Sequence, residues 1–251
     1  NFSNCNCTKF YGGAISTNNA NNLNISYCIF DSCKSKDNGG AIRLASSKNI
    51  NIFNSIFSDC GVEGNGGGLY VGKNDDGSTC SNVLIKQCDF INNSANNGGA
   101  INFVSSSNVM GCNFINNSAS YGGAVNVAFD SVSFEGCVFA NCSSRRDGAA
   151  IYWNNGKNLE INYCSFEKCV SENGGNSIKL NSGTSGYSVD NCIFDVAPEG
   201  IDYYYDSYLD VNNLSVVQGD DVLLSGRLYN ILNPLGGKKI TFKINGEEYN
   251  K

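Results

Sequence analysis

Thirteen cysteines are the first residues in this 251-residue chain whose type and spacing invite chemistry. Six stand two positions before a phenylalanine (Cys28, Cys88, Cys112, Cys137, Cys164 and Cys192). Five stand three positions after one (Cys5, Cys33, Cys60, Cys142 and Cys169), and Cys7 and Cys80 lie outside both sets. A thiolate is a nucleophile and a soft metal ligand, and two thiols close a disulfide. No Cys-x-x-Cys pair and no histidine accompany them. That excludes a Ser-His-Asp triad, a Cys-His pair, a His-ligated metal and a near-neutral imidazole base. Carboxylates are the next candidates. Asp75-Asp76 lie in the stretch Gly72 to Ser81, and Asp220-Asp221 lie far downstream. Clustered carboxylates serve general acid/base work or bind calcium, but solvated turn residues are the plainer reading of Asp75 and Asp76. No catalytic residue, no metal and no cofactor are expected.

Composition narrows the rest. Seventeen basic against 23 acidic residues leave a net charge of −6, so there is no basic surplus to neutralise phosphates and no nucleic-acid partner is expected. No apolar run approaches the ~20 residues of a membrane span. Hydrophobic residues at 41% with few charges argue against disorder. The 29 glycines and 40 asparagines suit turns and strands better than helices.

The positions of these residues repeat. Phenylalanines 2, 30, 57, 90, 114, 139, 166 and 194 are spaced by 28, 27, 33, 24, 25, 27 and 28 residues. A second motif runs in phase with them: Gly12-Gly-Ala-Ile15, Gly39-Gly-Ala-Ile42, Gly66-Gly-Gly-Leu69, Gly98-Gly-Ala-Ile101, Gly122-Gly-Ala-Val125, Gly148-Ala-Ala-Ile151 and Gly175-Asn-Ser-Ile178. Five residues before each phenylalanine from Phe30 onward stand Ile25, Ile52, Ile85, Val109, Phe134, Ile161 and Val189, and two residues earlier another mostly apolar column. Alternation of apolar and polar residues is the strand period. A repeat of strands and turns with no helical segment predicts a right-handed parallel β-helix of about eight coils over residues 1–200, with the phenylalanines stacked in its core.

Stacking assigns neighbours. Cys88 falls near Cys112, Cys137 near Cys164 and Cys142 near Cys169. Disulfides at these pairs compete with two other readings, reduced buried thiols acting as small hydrophobes, and metal ligation. The outward residues of the strand after each glycine pair line up as Ser16, Arg43, Tyr70, Asn102, Asn126, Tyr152 and Lys179. Tyrosine, arginine and asparagine suit sugar or protein recognition, and the same residues also suit an ordinary solvent-facing strand.

The paired signatures Phe-x-x-Asn (Phe90 to Asn93, Phe114 to Asn117) and Gly-Gly-Ala-Ile resemble the repeat of chlamydial polymorphic outer-membrane proteins and of adhesin-like surface proteins of methanogenic archaea. The pattern departs where cysteine replaces the asparagine, at Cys5, Cys33, Cys60, Cys142 and Cys169. From Pro198 the composition changes, and strand-like runs appear at residues 209–217, 222–229 and 239–245. Val217-Gln-Gly-Asp-Asp-Val-Leu-Leu-Ser-Gly226 and Pro234-Leu-Gly-Gly-Lys-Lys-Ile-Thr-Phe242 resemble the first strands of bacterial Ig-like stalk domains. Residues 201–251 are therefore expected to begin an Ig-like β-sandwich, and the chain reads as a fragment of a longer protein. Alternatively, the incomplete sandwich accepts strands from a neighbour and builds a filament.

The resemblance implies an extracellular, cell-surface adhesin-like or stalk protein and not an enzyme, with a glycan or protein receptor as partner. A polysaccharide lyase or hydrolase is the competing class. Asn-x-Ser/Thr sequons at Asn24, Asn92, Asn116, Asn141 and Asn213 are candidate glycosylation sites, although an asparagine-rich chain also makes them by chance.

Overall fold

The computed structural model describes residues 1–175, 177–196 and 198, and beyond them the backbone of four strands. The chain divides into two units, Asn1–Tyr203 and Tyr204–Lys251.

The first unit is a parallel β-solenoid with no helix among its described residues. Each coil contributes a strand to each of three long sheets. The lead-in sheet runs through seven strands from Asn21–Ser26 to Ser185–Asp190, and the glycine-pair sheet through seven from Ile15–Asn18 to Ile178–Leu180. The phenylalanine sheet has eight, from Phe2–Ser3 to Ile193–Phe194. Short strands and single bridges, such as Gly61 to Ser94 to Ser118, make a fourth side. About seven coils close, one fewer than the phenylalanine count suggests, because seven strands stand in each of the other long sheets.

The sequence columns are the strand registers. Ile25 pairs with Ile52, Ile52 with Ile85 and Val109 with Phe134. All eight phenylalanines pair coil to coil and their rings stack, with centroids 4.7–5.1 Å apart and planes within 13°. The spacing is that of neighbouring strands, so backbone pairing and ring stacking impose the same repeat.

The corners explain the composition. Among the described residues, nineteen non-glycine residues have φ near +50°, and 11 of them are asparagine, whose short polar side chain tolerates the left-handed region. Each glycine pair answers two separate constraints. Gly39 has φ +70°, while a Cβ on Gly40 would meet the Gly67 carbonyl oxygen of the next coil at 2.0 Å. The first needs backbone freedom and the second needs an absent side chain.

The structure also shows why cysteine substitutes for asparagine three residues after the phenylalanine. Asn93 Nδ2 donates to the Phe57 carbonyl at 2.9 Å and Asn117 Nδ2 to the Phe90 carbonyl at 2.8 Å. Cys60 Sγ donates to the Phe30 carbonyl at 3.4 Å and Cys142 Sγ to that of Phe114 at 3.3 Å. Either side chain answers the carbonyl of the phenylalanine one coil away.

In the second unit, Tyr208–Val211 pairs antiparallel with Gly226–Tyr229, and Thr241–Ile244 with Glu247–Asn250. The expected Ig-like sandwich is not seen among the described residues, which form two separate two-stranded sheets. Asn245-Gly246, between the last two strands, is a strong local hairpin signal. A sandwich needs about seven strands paired over long range, and the remaining expected strand residues lie outside those described.

Candidate functional site

The column Ser16, Arg43, Tyr70, Asn102, Asn126, Tyr152 and Lys179 is continuous in register. It is not an open stripe along its whole length. Arg43, Tyr70, Asn102 and Asn126 are only 8, 7, 3 and 5% exposed, whereas Tyr152 is half-buried and Lys179 exposed.

Three local structures cause the difference. Over the early coils, the segment between Gly72 and Cys80 forms a strap, closed by a bridge from Lys73 to Thr79. Ser46 Oγ hydrogen-bonds with Ser78 Oγ at 2.7 Å, and Asn74 bonds Asn18. Asp76 accepts the Ser78 backbone N–H at 2.8 Å, which is the turn role foreseen for it. The Tyr70 ring lies flat over Gly72, where a Cβ would meet it at 2.6 Å. In the middle coils, Asn126 Nδ2 donates to Asn102 Oδ1 at 2.6 Å, so the two amides are joined to each other along the column.

Over the later coils the column opens. Tyr152 stacks on Tyr121 with centroids 5.1 Å apart. Arg146 lies over the Tyr121 ring at 5.3 Å and donates from Nη1 to its hydroxyl at 2.7 Å. A register shift creates this arrangement. Strand Ser118–Tyr121 pairs with Ser143–Asp147 so that Ala119 faces Ser144 but Tyr121 faces Asp147. The extra residue is a bulge, a device that re-aims side chains, and it presents both Arg145 and Arg146 to solvent. Arg145 Nη2 is held by Ser120 Oγ at 2.9 Å. Around the corner, an open groove of about 380 Å³ is lined by residues including Ser118, Ser143, Arg145 and Glu172.

Tyr121 and Arg146 were not among the residues singled out from sequence. The spacing does not mark them: nine positions separate Phe139 from Gly148, as they separate Phe30 from Gly39, Phe57 from Gly66 and Phe166 from Gly175, and only the two preceding coils, Phe90 to Gly98 and Phe114 to Gly122, have eight. Relative to the preceding coil, the extra position falls between Ser144 and Asp147.

The cysteines are free thiols, Cys88 and Cys112, Cys137 and Cys164, and Cys142 and Cys169 included. These pairs do stack on adjacent coils. The Cys88 N–H donates to Cys112 Sγ and the Cys137 N–H to Cys164 Sγ, each at 3.4 Å. Parallel in-register strands aim neighbouring Cβ vectors alike, poor geometry for a disulfide. No cluster of three or more metal-binding side chains occurs among the described residues. Burial pushes the Cys60 thiol up to about 12 and also raises Cys142 and Cys164. Ten cysteines are buried, and Cys5, Cys7 and Cys28 are half-buried. An aromatic disulfide reagent at pH 8 should therefore label about three thiols quickly and the other ten only on unfolding. The raised Cys60 value also has a sign. Its contribution to stability is complete below pH about 9 and is lost as pH rises towards 12, so the denaturation midpoint should fall in that window.

Asn24, Asn92, Asn116 and Asn141 are exposed, and the last three occupy left-handed corners with φ of 52–55°. Asn213 lies outside the described residues.

The family described as right handed beta helix region matches residues 15–194. The chain belongs to this family. It includes both enzymes, among them pectate lyases, and proteins without catalytic activity. No curated protein and no solved structure matches the chain. Among the described residues, no helix is long and apolar enough to cross a membrane.

Proposed function

We propose that this right-handed β-helix is part of an extracellular adhesin-like or stalk protein, related in its repeat to the surface proteins of chlamydiae and methanogenic archaea. It binds glycan or protein on a host or partner cell through its later coils. The observation that carries the reading is the Tyr121–Tyr152 stack flanked by the outward cations Arg145, Arg146 and Lys179. Flat aromatic faces beside directed cationic donors suit sugar rings and interface hot spots. The stacked coils supply a stiff support, and several such contacts on one surface add through avidity.

Tyr152→Ala and Arg146→Ala should each lower retention on a glycan array or on intact cells by 10-fold or more, about 1.4 kcal/mol. Their circular dichroism should match the parent. Unchanged retention in both variants would remove this face from consideration. Release of reducing ends or unsaturated products from polysaccharides would support the enzymatic branch of the family instead.

A further inference from the structure

Among the described residues, Arg43 is the only charged side chain that is buried. A guanidinium carries five N–H donors. Here Nε is enclosed without a partner, and Nη2 makes a single long bond to Asn74 Oδ1 at 3.5 Å. The charge lies over the Tyr11 ring at 4.2 Å and beside Tyr70, its neighbour in register. The one ion pair among the described residues, Lys168 with Glu167, is on the surface elsewhere. A cation–π contact offsets part of the cost of enclosing a charge, but a buried cation ordinarily has a hydrogen-bonded counter-charge.

We infer that Arg43 anchors a site for one small oxyanion, a carboxylate, sulfate or phosphate, taken side-on by Nε and Nη2 between Tyr11 and Tyr70 at the edge of the strap. Nε and Nη2 form the planar fork that matches two oxygens of such a group. Asn74 Oδ1 occupies the position of one of those oxygens at the outer limit of hydrogen bonding, and the strap that carries it joins the fold through a few side-chain bonds. Asp75 and Asp76 are exposed on the same strap. They disfavour a long polyanion and leave a single compact anion as the fitting ligand. The site is separate from the Tyr121–Tyr152 face and stands whether or not that face binds a receptor.

The test compares the full chain with Arg43→Gln in thermal unfolding under sodium sulfate, phosphate or acetate, with sodium chloride at matched ionic strength. The parent should show a saturable rise in melting temperature of roughly 5 °C at ~100-fold the dissociation constant, absent in the variant. In parallel, the Arg43 Nε–H resonance of ¹⁵N-labelled parent protein should move along the same saturation curve. Equal, unsaturating rises in both proteins are what exclusion of sulfate from any protein surface produces. Together with an unmoved Nε resonance, they would overturn the site. If Arg43→Gln does not fold, the resonance titration of the parent decides alone.

Discussion

Phe114→Ala should destabilise the β-helix by about 3–5 kcal/mol, the cost of truncating a fully buried aromatic side chain. Phe114 has no exposed surface and stacks between Phe90 at 5.1 Å and Phe139 at 4.7 Å, with planes within 6° of both. Two consequences add. The cavity opens in the centre of the coil, where backbone pairing to the strands above and below prevents collapse, and two ring contacts worth about 0.5–1.5 kcal/mol each disappear. Phe114→Leu separates these effects, because it keeps much of the apolar volume and loses the stacking. It should cost about 1–2 kcal/mol. Phe10, 63% exposed and outside the stack, is the control. Phe10→Ala should stay within about 0.5 kcal/mol of the parent. Because strand pairing and ring stacking at Phe114 run only to the coils directly above and below, the damage should also be local. Hydrogen exchange should accelerate in the strands of residues 89–91, 113–115 and 138–140 before more distant coils. A loss below ~1 kcal/mol for Phe114→Ala, measured from guanidinium unfolding midpoints, would show that the ring stack is not the principal support of the core.

The axial repeat was legible in the sequence because it is local. Ile25, Ile52 and Ile85 are two strand positions from Leu23, Ile50 and Val83, and the phenylalanines recur once per coil, so counting residues recovers the register. What lies around the coil was not legible in the same way. Arg43 and Tyr70 alternate as outward residues should, yet a strap from their own and the next coil encloses them, and no periodic pattern encodes a loop folding back across two coils. Tyr121 and Arg146 meet through a one-residue bulge. Periodic reasoning treats such a change in length as noise, although it is what places both arginines on the open face. The Ig-like expectation rested on short motifs, and motifs such as Asn245-Gly246 specify a hairpin far more strongly than the sandwich into which it would pack.

The exchange of asparagine and cysteine allows a sharper test of how this sequence encodes its fold. Asn117 is fully buried, accepts the Asn93 N–H on Oδ1 at 3.0 Å and donates from Nδ2 to the Phe90 carbonyl at 2.8 Å. Asn117→Ala strips one backbone donor and one acceptor of their partners without admitting water. At about 1–3 kcal/mol for each buried group left unsatisfied, the loss should be about 2–4 kcal/mol. Asn117→Cys should cost less than half as much. A thiol at the equivalent position already donates to the Phe114 carbonyl from Cys142 and to the Phe139 carbonyl from Cys169, and sulfur accepts a backbone N–H at Cys112 and Cys164. The reciprocal change, Cys142→Asn, should be neutral to within ~1 kcal/mol, because the amide reaches the same carbonyl with a stronger donor. If alanine and cysteine at position 117 prove equally destabilising in urea unfolding, the ladder requires the amide itself. The five cysteines at that position would then need a reason other than hydrogen bonding, and their size and apolar character would be what the coil selects.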